Sequence, residues 1–223
     1  ARSGASVIIY EKYNALGGIL THGIPNFRLE REVIEKSIEH IIKLGIQIKL
    51  QTELGKDITI KDLSNEYDAI FLGIGANVPT KMNIEGEDLK GVYGGNDLLE
   101  KENHPNYENK IVSIIGGGNV AIDCARTVIR KRAKKVYIIY RRAEEQMPAN
   151  KEEIKQAKEE NIEFLFQNNI VKILPKANAK EEVGKIECIK TKLVQREGEK
   201  RLSPINIENS NYELETDYVI MAL

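Results

Sequence analysis

Short runs of β-branched residues alternate with stretches of helical period through most of this chain. Ser6-Val7-Ile8-Ile9-Tyr10 reads as a buried strand, and Glu11 leads into a loop with Leu16-Gly17-Gly18 and then Gly23-Ile24-Pro25. From Glu30 to Leu44 the apolar residues Val33, Ile34, Ile38, Ile41 and Ile42 recur at helical spacing, and Gly45 supplies a stop. Residues 46–50 alternate like a strand, and 57–66 suit a short helix. The apolar run Ala69-Ile70-Phe71-Leu72 closes on Gly73-Ile74-Gly75-Ala76, and a mixed stretch to about Asn109 reads as a connection. The second half opens with the buried strand Ile111-Val112-Ser113-Ile114-Ile115, which runs straight into Gly116-Gly117-Gly118-Asn119. A helix to about Arg132, a strand over 136–140 and a helix over 151–160 are expected next. From Ile162 onward the pattern turns to strands, at 163–166, 170–174, 185–194 and 212–214, with a hairpin turn expected at 195–200. Strands alternating with helices, followed by a β-rich tail, predict an α/β fold with parallel sheets.

The two ends look cut. Ala1-Arg2-Ser3-Gly4 has the makings of a helix's last turn closed by glycine, and residues 217–223 are a strand pattern with no turn after it. A fragment is therefore expected.

Composition narrows the function classes. The 223 residues carry 33 Lys+Arg against 34 Asp+Glu, a net charge of -1, which argues against nucleic-acid binding by bulk electrostatics. No apolar run reaches the roughly 18 residues of a membrane span, and no signal-peptide pattern is present, so a cytoplasmic protein is expected. Cys124 and Cys188 stand far apart, in no metal-ligand spacing. A disulfide framework and a metal site within this chain are not expected.

The sharpest signal is Gly116-Gly117-Gly118-Asn119-Val120-Ala121, which fits G-x-G-x-x-A with a strand before it and a helix after. Gly116 would allow a sharp turn, Gly118 a close approach of the backbone to a pyrophosphate, and Ala121 tight helix–strand packing. The helix N-terminus would then present N–H groups and a partial positive charge to the phosphates. NAD-binding sites usually place a carboxylate after the next strand, where it accepts from the ribose 2′-OH. Here Arg141-Arg142 follow Tyr140 instead. Paired guanidiniums suit a 2′-phosphate through charge-assisted, bidentate hydrogen bonds, so NADP(H) is expected over NAD(H). Near the start, Tyr10-Glu11-Lys12 puts an acid after a strand, where a second dinucleotide fold would hold a ribose.

With these motifs in view, the sequence resembles the small (beta) subunit family of NADPH-dependent glutamate synthase. Its relatives include the NADPH-reactive part of dihydropyrimidine dehydrogenase and ferredoxin:NADP oxidoreductase flavin subunits. The matching stretches are Tyr10-Glu11-Lys12, Leu16-Gly17-Gly18, Gly23-Ile24-Pro25-Asn26-Phe27-Arg28-Leu29, Gly116 to Arg126, Tyr140-Arg141-Arg142 and Met147-Pro148-Ala149. The resemblance implies a Rossmann-like, three-layer flavoprotein with two dinucleotide-binding domains. Residues 1–109, completed by 212–223, would form a partial FAD domain, truncated at both ends, and 110–211 an inserted NADPH domain. Glu11, Leu16, Gly17, Gly18, Arg28, Leu54 and Gly75 would lie along FAD. Gly116, Gly117, Gly118, Asn119, Arg141, Arg142 and Ala222 would serve NADPH. Hydride would pass from the nicotinamide to the flavin, and electrons would leave for iron–sulfur centres outside this chain and for a partner, the glutamate synthase large subunit or another acceptor.

The sequence departs from the family in lacking the glycine-rich FAD pyrophosphate turn, the cysteine-rich amino-terminal region and the carboxy-terminal Gly-Asp segment. Weak or absent FAD binding by this chain alone is therefore expected, and no residue is assigned a catalytic or metal-binding role. His22 is a candidate flavin neighbour, and Asp123 and Arg126 are expected to be helix-packing or domain-contact residues. Two rivals stay open: a ferredoxin:NADP or dihydropyrimidine dehydrogenase-like electron donor, and an NADPH-binding fragment without turnover.

Overall fold

The computed structural model describes residues 1–76, 80–101, 103–195, 198 and 201–223. Two compact units result, Ala1–Asn77 and Val78–Leu223.

In the first unit, β1 (Ile8–Tyr10) pairs in parallel with β2 (Gln47–Lys49). Between them lie a single turn, α1 (Ile19–His22), and the longer α2 (Arg31–Ile42), in which Ile34 is the buried residue. The helix α3 (Ile60–Glu66) starts at Thr59 with a reciprocal cap, in which Thr59 accepts from the Asp62 N–H and the Asp62 carboxylate accepts from the Thr59 N–H. The run after it joins no strand. Phe71 is 94% exposed and Leu72 55% exposed, so the middle of this apolar stretch lies open. Residues 1–4 form a turn rather than a helix end, with the Gly4 N–H donating to the Ala1 carbonyl.

The second unit is built around a five-stranded parallel sheet in the order β3-β11-β4-β5-β6: β3 (Val92–Gly94), β4 (Ile111–Ile115), β5 (Lys135–Tyr140), β6 (Glu163–Phe166) and β11 (Tyr218–Met221). Three helices cover one face: α4 (Gly95–Lys101), α5 (Asn119–Arg130) and α6 (Lys151–Glu159). Val112, Ile114, Val136 and Ile138 point toward them and meet Ile122, Ala125, Val128 and Ile154 in one core. Alternate residues, Ile115, Tyr137, Ile139 and Val219, face the other way and pack on an antiparallel sheet. That sheet has the order β10-β8-β7, from β7 (Asn168–Lys176), β8 (Ala179–Val194) and β10 (Tyr212–Glu215), with β9 (Ser203–Asn206) paired to the far end of β8. The result is three layers, as expected: helices, parallel sheet, antiparallel sheet. Of the hairpin turn expected at 195–200, residues 196, 197, 199 and 200 lie outside the described residues.

The domain division differs from the sequence-based expectation. Residues 212–223 do not complete the first unit. β10 pairs with β8, and β11 sits between β3 and β4, with Val219 and Ile220 fully buried. A strand buried on both faces and hydrogen-bonded on both edges belongs to the sheet it completes. For the same reason the boundary falls at 77/78 rather than 109/110, since β3 and α4 belong to the second unit through β11 and α5.

Candidate functional site

The fold brings the sequence's strongest motif to one edge of the parallel sheet. Ile115 is in register with Met221 on one side and Ile139 on the other, so β11, β4 and β5 end side by side. The chain leaves β4 toward β5 and β6 on one flank, and β11 returns on the other. β4 is thus the strand where the order reverses, and the carboxyl ends beside such a point form the usual ligand crevice of α/β sheets.

Each glycine of the turn has a distinct job. Gly116 has φ +142°, and a Cβ there would stand 2.1 Å from the carbonyl oxygen of Ala222, whose own N–H donates to Ile115 (2.8 Å). Glycine is therefore required for the chain to turn beneath Ala222. A Cβ on Gly117 would lie 2.5 Å from two ring carbons of Tyr140, so this residue sits under an aromatic ring. Gly118 is the N-cap of α5, with no side-chain cap, and a Cβ on it would meet nothing within 4 Å. The open space thus lies at an uncapped helix N-terminus, where a diphosphate would fit. Ala121 is fully buried, as close helix–strand packing requires.

The segment after β5 folds back over this turn. Tyr140 Oη donates to the Gln146 carbonyl (2.8 Å), the Ala149 N–H donates to the Gly117 carbonyl (3.2 Å), and the Asn150 N–H donates to Asn119 Oδ1 (3.0 Å). The Asn150 side chain in turn caps α6 by accepting from the Glu152 N–H (2.9 Å). Asn119, read from sequence as a cofactor contact, therefore spends its carbonyl oxygen on the fold. Asn150 was missed by sequence reasoning, although an Asn just before a helical pattern is an N-cap signal.

The two arginines differ. Arg141 is exposed, its backbone carbonyl accepts from Thr191 Oγ1 (2.8 Å), and no acidic side chain pairs with it among the described residues. Arg142 is half-buried and donates through Nε to the Leu202 carbonyl (3.2 Å). Arg126 does have a packing role. It is 5% exposed and pairs with Glu153 and with Glu160 (3.0 Å), tying α5 to α6.

In the first unit, the Glu11 N–H donates to Lys49 (3.0 Å), and its carboxylate accepts from the Tyr13 N–H (3.0 Å). Thr52 donates to the Glu11 carbonyl (2.9 Å), which brings the chain just before Leu54 to the same end of the strand pair. In the Leu16-Gly17-Gly18 loop Gly17 and Gly18 have φ +116° and +52°, and Thr21 Oγ1 donates to the Leu16 carbonyl (2.8 Å). The Arg28 N–H donates to Pro25 (2.9 Å), and Gly75 lies in the exposed run after α3. His22 Nε2 lies 3.5 Å from the Ala15 carbonyl, beside the Tyr13 ring. Among the described residues, no cluster of three or more His, Cys, Asp or Glu is arranged to hold a metal, and no helix is long and apolar enough to cross a membrane.

A parallel sheet with a glycine turn at its reversal point, a helix N-terminus open above it and a cation at the neighbouring strand end define a dinucleotide-binding class of fold. The chain belongs to the pyridine nucleotide-disulphide oxidoreductase family, whose model matches residues 1–223. It is 35% identical to the glutamate synthase [NADPH] small chain of Escherichia coli K12 over 99% of its own length and 49% of that protein's. It is 34% identical to the NADP(+)-dependent formate dehydrogenase subunit beta of Moorella thermoacetica, covering 100% of this chain and 32% of that one. Thus the chain spans about half or less of these curated relatives. Among solved structures, Mycobacterium tuberculosis FprA in complex with NADPH shares the fold with a TM-score of 0.84 at 18% identity, over 98% of this chain and 63% of that one.

Proposed function

We propose that the second unit binds NADPH and that this chain is the coenzyme-oxidising part of a flavoprotein electron-transfer subunit. The observation that carries the reading is the open space above Gly118, at an uncapped helix N-terminus on the carboxyl edge of the sheet. Backbone N–H groups of the first α5 turn would take the diphosphate, with Gly116 and Ala222 shaping the floor and Gly117 held beneath Tyr140. Arg141 would take the 2′-phosphate and Arg142 would support it from its anchor on Leu202. When bound, nicotinamide and flavin supply the hydride chemistry between them, and the protein supplies their alignment.

In the first unit, Glu11 would accept from the FAD ribose, with Leu16, Gly17, Gly18, Arg28, Leu54 and Gly75 along the rest of the cofactor. Among its described residues that unit has a two-stranded sheet, and Phe71 stands exposed. This chain alone is accordingly expected to hold FAD weakly and to be inactive by itself. Electrons would pass to iron–sulfur centres outside this chain and then to a partner subunit in the cytoplasm. We propose the glutamate synthase large subunit as that partner, on the likeness to the small chains. The formate dehydrogenase relative keeps another electron-accepting subunit as the second reading.

Titration with 2′,5′-ADP, the phosphorylated end of the coenzyme without its nicotinamide, tests the site. Saturable binding competed by NADPH is expected, and no binding of either molecule would remove the reading.

A further inference from the structure

The segment 147–150 touches the glycine turn through two backbone donors, the N–H groups of Ala149 and Asn150. No change of side chain at these two positions, proline apart, deletes those donors. Where they point depends on where α6 lies along α5. Apolar packing of Ile154 and Ala157 against the core holds the two helices together. Arg126 adds a directional, charged contact to it. Its buried guanidinium reaches Glu153 in the first turn of α6 and Glu160 at its C-cap (3.0 Å), and Arg130 adds a second bond to Glu160 (2.7 Å). Two carboxylates seven residues apart are separated by roughly 10 Å along a helix axis, so one fork between them defines an axial position.

A buried ion cluster of this kind is a weak source of stability, because desolvation offsets much of the attraction, and its best-attested use is to specify register. We propose that Arg126 is a positioning residue for the dinucleotide site: by fixing the register of α6 it holds the Ala149 and Asn150 N–H groups on Gly117 and Asn119, and so keeps the turn shaped for the diphosphate. A slide of one residue, about 1.5 Å, would break both bonds. The inference rests on the reading of the glycine turn as an NADPH site, but it assigns Arg126 no contact with the coenzyme.

The test uses two variants of the full chain. Arg126→Met/Glu153→Leu/Glu160→Leu removes the fork together with both carboxylates it holds, so neither side of the Arg126 cluster is left facing a missing partner. Arg126→Lys keeps the charge but loses the fork. Measured are thermal midpoint, amide hydrogen exchange at Ala149 and Asn150, and NADPH affinity. The expected result is a triple variant as stable as the parent whose two amides lose protection and whose NADPH dissociation constant rises on the order of tenfold, with Arg126→Lys intermediate. Either variant, folded and with parental protection and affinity, would overturn the proposal. If the triple variant does not fold, Arg126→Lys decides alone by the same two readouts. A parent protein that fails to bind NADPH would instead count against the site itself, and the exchange data would still show whether Arg126 holds the segment.

Discussion

Gly117 and Gly118 are neighbours with opposite reasons for lacking a side chain. At Gly117 the added methyl would press on the buried Tyr140 ring, which is itself held by Gln146. Gly117→Ala should therefore destabilise the fold by about 1–3 kcal/mol, the usual cost of overpacking, visible as a lower thermal midpoint. At Gly118 the backbone is extended, φ -87° and ψ 177°, and the methyl would enter open space. Gly118→Ala should leave the midpoint nearly unchanged while weakening coenzyme binding, because the methyl stands where the diphosphate would lie. A loss of stability at both positions, with no loss of affinity, would remove the cradle from the account. The motif was readable because glycine spacing is local. The role of Asn119 was not, since its partner Asn150 lies 31 residues away. Nor was the difference between the two arginines, which depends on Leu202 arriving from another hairpin.

At the level of elements, the α5–α6 contact carries a pH signature. Burial works against ionised Glu160, but hydrogen bonds from Arg130 and then Arg126 outweigh it and hold the carboxyl below its ordinary value of 4.5. Stability from this pair is present above that value and lost as pH falls through the lower folded-state value. Glu160→Gln should flatten that part of an acid-unfolding curve, and an unchanged curve would contradict the assignment. The thiols behave in the opposite sense. Burial pushes Cys188 up to about 11 and Cys124 higher still, so both stay protonated and unreactive in the folded protein. A disulfide reagent at pH 8 should find no reactive thiol until denaturant is added, when both should react. As pH rises from 9.0 toward 11 the unfolded Cys188 ionises first, so stability should fall. Most elements were legible, because the run at 111–115 and the helical period after Gly118 are strong local patterns. β3 and α4 were hidden in a polar, glycine-bearing stretch whose structure is decided by packing on β11 and α5.

For the molecule as a whole, the placement of 212–223 was the part least open to sequence reasoning. Residues 218–221 announce a buried strand but not which sheet they enter, because strand pairing is non-local and β11 meets β4 across about a hundred residues. The same physics leaves Phe71 and Leu72 exposed in a run that has the apolar content of a buried strand. Purified chain should consequently show flavin absorbance well below one equivalent while the second unit still binds coenzyme. A full equivalent of FAD would contradict the expectation for the first unit without touching the second.

Calorimetric titration of NADPH and NADH into the purified chain, with Arg141→Ala in parallel, bears on the phosphorylated-coenzyme assignment. The parent should bind NADPH at least about tenfold tighter than NADH, and the variant should lose about 1.5–3 kcal/mol of NADPH affinity while NADH is unaffected. Equal affinity for the two coenzymes, or a variant that weakens both alike, would contradict it.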